Sequence, residues 1–159
     1  MEHSLKNILL YTLLLCSTAI FANPEQFKID ITNGGTANCV LKQKTILSGY
    51  VSDGSVIPTT IRPDQTATFF MRSGTATPLG DTGFMVITTS SIKDKIILLT
   101  YSCGDNQEIT LLTDQAFFDV SLRVGGKVLD AQTIYAKFTT STPRWWAKDS
   151  PEIHWTLLY

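Results

Sequence analysis

The chain has 159 residues, 13 basic and 14 acidic side chains for a formal charge of −1, and 43% hydrophobic composition. That length suits one ordinary domain with a core of its own. Near charge balance excludes the cation excess that nucleic-acid binding needs to neutralise phosphates, and the scattered charges leave no acidic or basic tail.

The first element is a leader. Lys6 precedes an apolar run from Ile8 to Leu15 and a small-residue exit at Ala22, the layout of a secretory signal peptide. The run falls short of the ~20 apolar residues that span a bilayer. Cleavage after Ala22 would leave residues 23–159, exported to the extracellular space or a periplasm. A lipoprotein anchor at Cys16 is disfavoured by Leu15, which is not the small residue such cleavage prefers. A retained anchor is disfavoured by the lack of a membrane-flanking segment after Ala22.

Beyond the leader only Cys39 and Cys103 remain. An even pair in an exported chain is the pattern of a disulfide, with two buried free thiols as the other reading. No metal site is expected: His154 is the single histidine left, and there is no Cys-x-x-Cys pair.

The chain then reads as strand after strand. Phe27, Ile29 and Ile31 alternate with Lys28, Asp30 and Thr32, the period of a strand with one wet face, and Asn33-Gly34-Gly35 turns it. Cys39–Leu47 is a second strand. Gly49 and Ser52-Asp53-Gly54 break the chain, Arg62-Pro63-Asp64-Gln65 has the chemistry of a tight turn, and Thr66–Met71 resumes with Ala67, Phe69 and Met71 on one face. After the irregular 72–82, Gly83–Thr89 forms another strand. Lys95–Cys103, with four consecutive apolar residues from Ile96 to Leu99, predicts a mid-sheet strand buried on both faces. Gln107–Leu112, Phe117–Val124 and Lys127–Phe138 complete the set, with Gly125-Gly126 as a two-residue hairpin turn. No segment carries a helical apolar stripe. The expected fold is all-β, a single-domain antiparallel β-sandwich over 23–142, followed by a C-terminal aromatic extension over 143–159 in which Ile153, Trp155 and Leu157 form a final strand.

Two sandwich families come into view. Tyr101-Ser102-Cys103 resembles the Tyr-x-Cys of an immunoglobulin domain, but no Trp lies between Cys39 and Cys103. The fuller match, from Phe27 to about Thr140, is to the aegerolysin family. Ile29-Asp30-Ile31-Thr32-Asn33-x-Gly35 with Val40-Leu41-Lys42 and Gly49 resembles that family's first hairpin. Ile61-Arg62-Pro63-Asp64-Gln65 resembles its Pro-Asp turn. Ser73-Gly74 and Gly80-Asp81-Thr82-Gly83-Phe84 resemble its Cys-Gly and Gly-Thr-x-Gly stretch. Tyr101-Ser102-Cys103 with Asn106 resembles its aromatic-Asp-Cys loop, and Leu129-Asp130 with Ile134 the start of its last strand.

The resemblance implies a secreted module that binds membrane lipids, as sphingolipid or sterol-containing bilayers, with a perforin-like protein as a partner in pore formation. Three positions depart from the family: Leu79 replaces a glutamate, Ser48 a tryptophan, and an aromatic is lost around Gly104. The tryptophans sit instead in the extension, where Trp145 and Trp146 lie between Arg144 and Lys148. Paired indoles flanked by cations suit the headgroup layer, although the same pair could cap the core, and Trp155 is expected in the core. Tyr50, Tyr101, Arg144, Trp145, Trp146 and Lys148 are the expected lipid-contacting residues.

Catalysis is not expected, since a serine triad needs a histidine held by a carboxylate and His154 near the chain end is the sole base. There is no Gly-x-Ser-x-Gly, and turns or wet strand faces account for Asp64, Asp81, Asp105, Asp119 and Glu152. No cofactor is implied. The alternative function is a protein- or glycan-binding β-sandwich with no membrane role.

Overall fold

A computed structural model of the chain describes residues 26–78, 84–87, 94–118, 121–129, 135–143 and 149–159. The strands are β1 (Gln26–Asn33), β2 (Cys39–Ser48), β3 (Tyr50–Val51), β4 (Thr60–Ile61), β5 (Thr66–Arg72), β6 (Thr75–Pro78), β7 (Phe84–Ile87), β8 (Lys95–Cys103), β9 (Gln107–Phe118), β10 (Ser121–Val128), β11 (Ala136–Ser141) and β12 (Glu152–Leu157). They form a five-stranded sheet in the order β11-β12-β1-β5-β3, a second in the order β10-β9-β8-β2-β4, and the β6-β7 hairpin. Two sheets with alternate residues turned inward make a β-sandwich.

The core lies between the facing surfaces. One sheet contributes Phe27, Ile29, Ile31, Phe69, Met71, Ile153, Trp155 and Leu157, and the other Ile97, Leu99, Tyr101, Ile109 and Leu111, all fully or almost fully buried. Burying a large apolar side chain contributes about 1.5–3 kcal/mol, so the alternation read in Phe27-Ile29-Ile31 is what fixes which face of β1 turns inward.

Two expectations are corrected. β8 is the middle strand of its sheet, but it is not buried on both faces. Lys95, Ile97, Leu99, Tyr101 and Cys103 are buried, while Ile96, Leu98, Thr100 and Ser102 are half-buried, because the opposite sheet covers only one side. A run of four apolar residues does not reveal how many layers cover it. The inward phase even takes Lys95, whose Nζ donates to Gln115 Oε1 at 2.5 Å.

Second, Gly125-Gly126 is not a turn. Both lie inside β10, paired with Asp114 and Thr113 of β9. Gly126 faces inward, where a Cβ would lie 2.5 Å from the Trp155 ring. Its missing side chain makes room for an indole. β9 ends at Phe118, which pairs with Ser121 of β10, and 119–120 lie outside the described residues.

The expected single-domain antiparallel β-sandwich is what forms, with one parallel pairing among the described strands. β12 enters its sheet between β11 and β1 and pairs with β1 in parallel, Ile29 beside Ile153 and Ile31 beside Trp155. The segment 152–157, expected as a final strand, takes an interior place in its sheet.

Candidate functional site

Strand register distinguishes the two ends of the sandwich. At one end, Cys39 and Cys103 face each other across β2 and β8 and form a disulfide. Beside it the C-terminus is locked down. Tyr159 Oη donates to Asn33 Oδ1 at 3.0 Å and also meets the Ala37 carbonyl, and Asn33 Nδ2 donates to the carbonyls of Ala37 at 2.8 Å and Ile61 at 2.9 Å. Gly35 lets the Tyr159 ring pack directly on the backbone.

Loops gather at the other end. Gln26 and Tyr50 both pair with Arg72 there, and Ser141 pairs with Glu152. At the second sheet's matching end, Ser48–Ile96 and Lys95–Gln115, Ser48 Oγ donates to the Asp94 carbonyl at 2.9 Å and joins the end of β2 to the start of β8. Gly49 crosses between the sheets at φ +79°, with its Cα too close to the Arg72 carbonyl to admit a Cβ. From this end spring the β6-β7 hairpin, the β9-β10 connection and the 142–151 connection between β11 and β12. Leu47, 60% exposed, sits here too.

Of the residues expected to contact lipid, the two tyrosines are corrected. Tyr101 is fully buried in the inward phase of β8 and its hydroxyl donates to the Pro58 carbonyl at 2.9 Å. Burial pushes its phenol pKa up. Tyr50 is only 8% exposed, packed where the chain passes between sheets. Neither ring is offered to a membrane. Arg144, Trp145, Trp146 and Lys148 lie outside the described residues. Trp155 is in the core, and its indole N–H donates to Thr113 Oγ1 at 2.7 Å.

The outer face of the first sheet carries a polar network that alternation alone did not single out. Lys28 Nζ lies 2.8 Å from Asp30 Oδ2 and 3.4 Å from Glu152 Oε2. Asp30 Oδ1 accepts from Thr68 Oγ1 at 2.6 Å, and its other oxygen lies 3.8 Å from His154 Nδ1. His154 Nε2 is 3.0 Å from Thr32 Oγ1. Burial acts to raise the Asp30 pKa, but the Lys28 ammonium and the Thr68 hydroxyl outweigh it and hold the carboxyl below its ordinary range. The Asp30 contact in turn raises Lys28. Parallel pairing of β1 with β12 assembled this network, and neither strand's sequence signals that neighbour.

Next to it, the loop from Ser52 to Val56 overhangs β5. Ser52 N–H donates to the Phe70 carbonyl at 2.8 Å, and Phe70 N–H donates to Ser55 Oγ at 2.7 Å. Between loop and sheet lies an open recess of about 520 Å³, lined by the loop residues Ser52, Asp53, Gly54, Ser55 and Val56 and by Gln26, Thr68 and Phe70 of the sheet. In the sequence, Ser52-Asp53-Gly54 signalled only a break in the chain.

No protein-family model matches the chain, and no curated protein matches it. Solved structures do. Protein IP-1A from Alcaligenes faecalis is 13% identical, with a TM-score of 0.51, 87% of this chain and 94% of that one being covered. The lipid-binding protein Nakanori is 10% identical, with a TM-score of 0.49 over 99% of this chain and 80% of its own. At 13% identity the likeness to protein IP-1A is one of fold.

Proposed function

We propose that this chain is a secreted membrane-lipid-binding module that acts without covalent chemistry. In this reading it engages sphingolipid or sterol-containing bilayers through the loop-bearing end of the sandwich and serves as the receptor-binding component of a cytolysin, with a perforin-like protein building the pore. The observation that carries the reading is the end of the sandwich at which β11 stops and β12 starts. Ser141 and Glu152 pair at the loop-bearing end, and the sequence between them holds Trp145 and Trp146 between Arg144 and Lys148. Amphipathic indoles and cations are what the headgroup layer retains. The ordered aegerolysin-like motifs from Phe27 to Thr140 support the same reading.

Co-sedimentation of 23–159 with liposomes, with and without sphingolipid and sterol, tests it beside a Trp145→Ala/Trp146→Ala variant. Lipid-dependent pelleting that the variant loses is the expected result. Absence of pelleting with every mixture would refute the membrane reading and leave protein or glycan partners. Export is checked by the N-terminal mass of protein recovered outside the producing cell, expected to begin at Asn23.

A further inference from the structure

From the recess under the Ser52–Val56 loop we infer a binding subsite for a neutral hexose, as a free saccharide or as the sugar headgroup of a glycolipid. The glycolipid source rests on the lipid-binding reading above; the sugar chemistry does not.

The lining decides the ligand class. Phe70 provides an apolar ring on the sheet side, and Asp53 provides a carboxylate with no hydrogen bond or ion pair among the described residues. Ser55 Oγ accepts the Phe70 N–H at 2.7 Å, which leaves its proton free to donate. Thr68 Oγ1 has given its proton to Asp30 Oδ1 at 2.6 Å, which leaves its lone pairs free to accept. Gln26 adds an amide that can do both. Ser52, only 4% exposed, has a buried hydroxyl without a hydrogen-bond partner among the described residues, the kind of unpaired group that an incoming hydroxyl can satisfy.

A phosphate is disfavoured because the lining holds a carboxylate and no cation. A quaternary ammonium would meet Asp53 and Phe70 but has neither donor nor acceptor, leaving Gln26, Ser55 and Thr68 idle. A hexose uses all of them: its hydroxyls donate to Asp53 and Thr68 and accept from Ser55 and Gln26, while its C–H face lies on Phe70. The loop is held to β5 at both Ser52 and Ser55, so little ordering has to accompany binding.

The test is an amide NMR titration of 23–159 with methyl glucoside, methyl galactoside and phosphocholine, beside vesicle pelleting on phosphatidylcholine with and without hexosylceramide. A hexoside is expected to shift the amides of Gly54, Ser55 and Phe70. Asp53→Ala and Gln26→Ala, both surface changes, should each weaken its binding about tenfold with an unchanged melting temperature. Pelleting on hexosylceramide vesicles that free hexoside competes away identifies a lipid-borne sugar. Hexoside binding with no vesicle recruitment identifies a soluble glycan and overturns the glycolipid source while the subsite stands. Failure of both hexosides to shift those amides, or shifts by phosphocholine instead, overturns the subsite. Vesicle pelleting that neither variant nor free hexoside alters overturns the glycolipid source.

Discussion

Replacing Gly126 with alanine tests the packing of the core at its tightest point. The new Cβ would lie 2.5 Å from Trp155 Cζ2, 2.8 Å from Cη2 and 2.8 Å from Ile153 Cδ1, against the roughly 3.5–4 Å at which carbon atoms rest. The indole cannot readily swing aside. It is fully buried, its N–H is held by Thr113 at 2.7 Å, and Phe138 packs on it with ring centroids 5.1 Å apart. Overpacking of this kind costs about 1–3 kcal/mol, offset by up to ~1 kcal/mol from the lower unfolded-chain entropy of alanine. The net expectation is a loss of about 1–2 kcal/mol, read as a shift in urea midpoint followed by far-ultraviolet circular dichroism. Trp155→Phe removes the ring edge that the Cβ strikes, so in that background Gly126→Ala should cost at least ~1 kcal/mol less. Equal costs in the two backgrounds, or a Gly126→Ala protein as stable as the parent, would refute the assignment of Gly126 as the seat of the Trp155 ring.

Two further predictions follow from covalent and ionic contacts. Replacing Cys39 and Cys103 together by alanine opens a loop of 64 residues and should destabilise the fold by ~4 kcal/mol; unfolding midpoints unchanged by the replacement, or by reductant in the parent, would contradict a closed bridge. The Lys28–Asp30 pair sets a pH window of opposite signs at its two limits. Because the folded pKa of Asp30 is lowered, its contribution is full above the unfolded carboxylate value near ~4 and is lost as pH falls through the folded one. Because that of Lys28 is raised, its contribution is full below ~10.4 and is lost as pH rises through the folded value. Partial solvent exposure limits the pair to about 1 kcal/mol, so Lys28→Met should flatten both limbs of the stability profile by no more than that. Limbs that keep their slopes in Lys28→Met would show that the pair does not set the window.

The sequence made the sheet class legible because burial in a sandwich has period two. Phe27-Ile29-Ile31 and the apolar alternation of Thr66–Met71 each announce one inward face, and both are inward as read. It was less informative where local chemistry has two meanings. Gly125-Gly126 has the composition of a turn, yet one of the pair answers to a tryptophan about 30 residues on. Tyr101 carries the composition of a surface aromatic, yet its position on an odd-numbered inward face of β8 decides its place. The polar network and the recess were hidden for another reason. His154 and Glu152 come to Asp30 and Lys28 across 124 residues of chain, and Asp53 comes to Gln26 through the crossing at Gly49, so no local window contains either cluster.

The division of the sandwich into a locked end and a loop-bearing end lets folding and recognition be separated. The disulfide, the Tyr159 clasp on Asn33 and Ala37 and the close packing at Gly35 all act at one end. The recess, by contrast, opens on the outer face of the first sheet, reaching Gln26 near the other end. Asp53 contributes nothing to the core, and Gln26 is the first residue of β1. Substitutions at these positions therefore alter what the surface can bind while leaving the inward faces of both sheets intact. Loops on a rigid scaffold carry recognition for this reason. A binding defect in Asp53→Ala or Trp145→Ala/Trp146→Ala with undiminished stability consequently reads on function, whereas the same defect in Tyr101→Ala would read on the core.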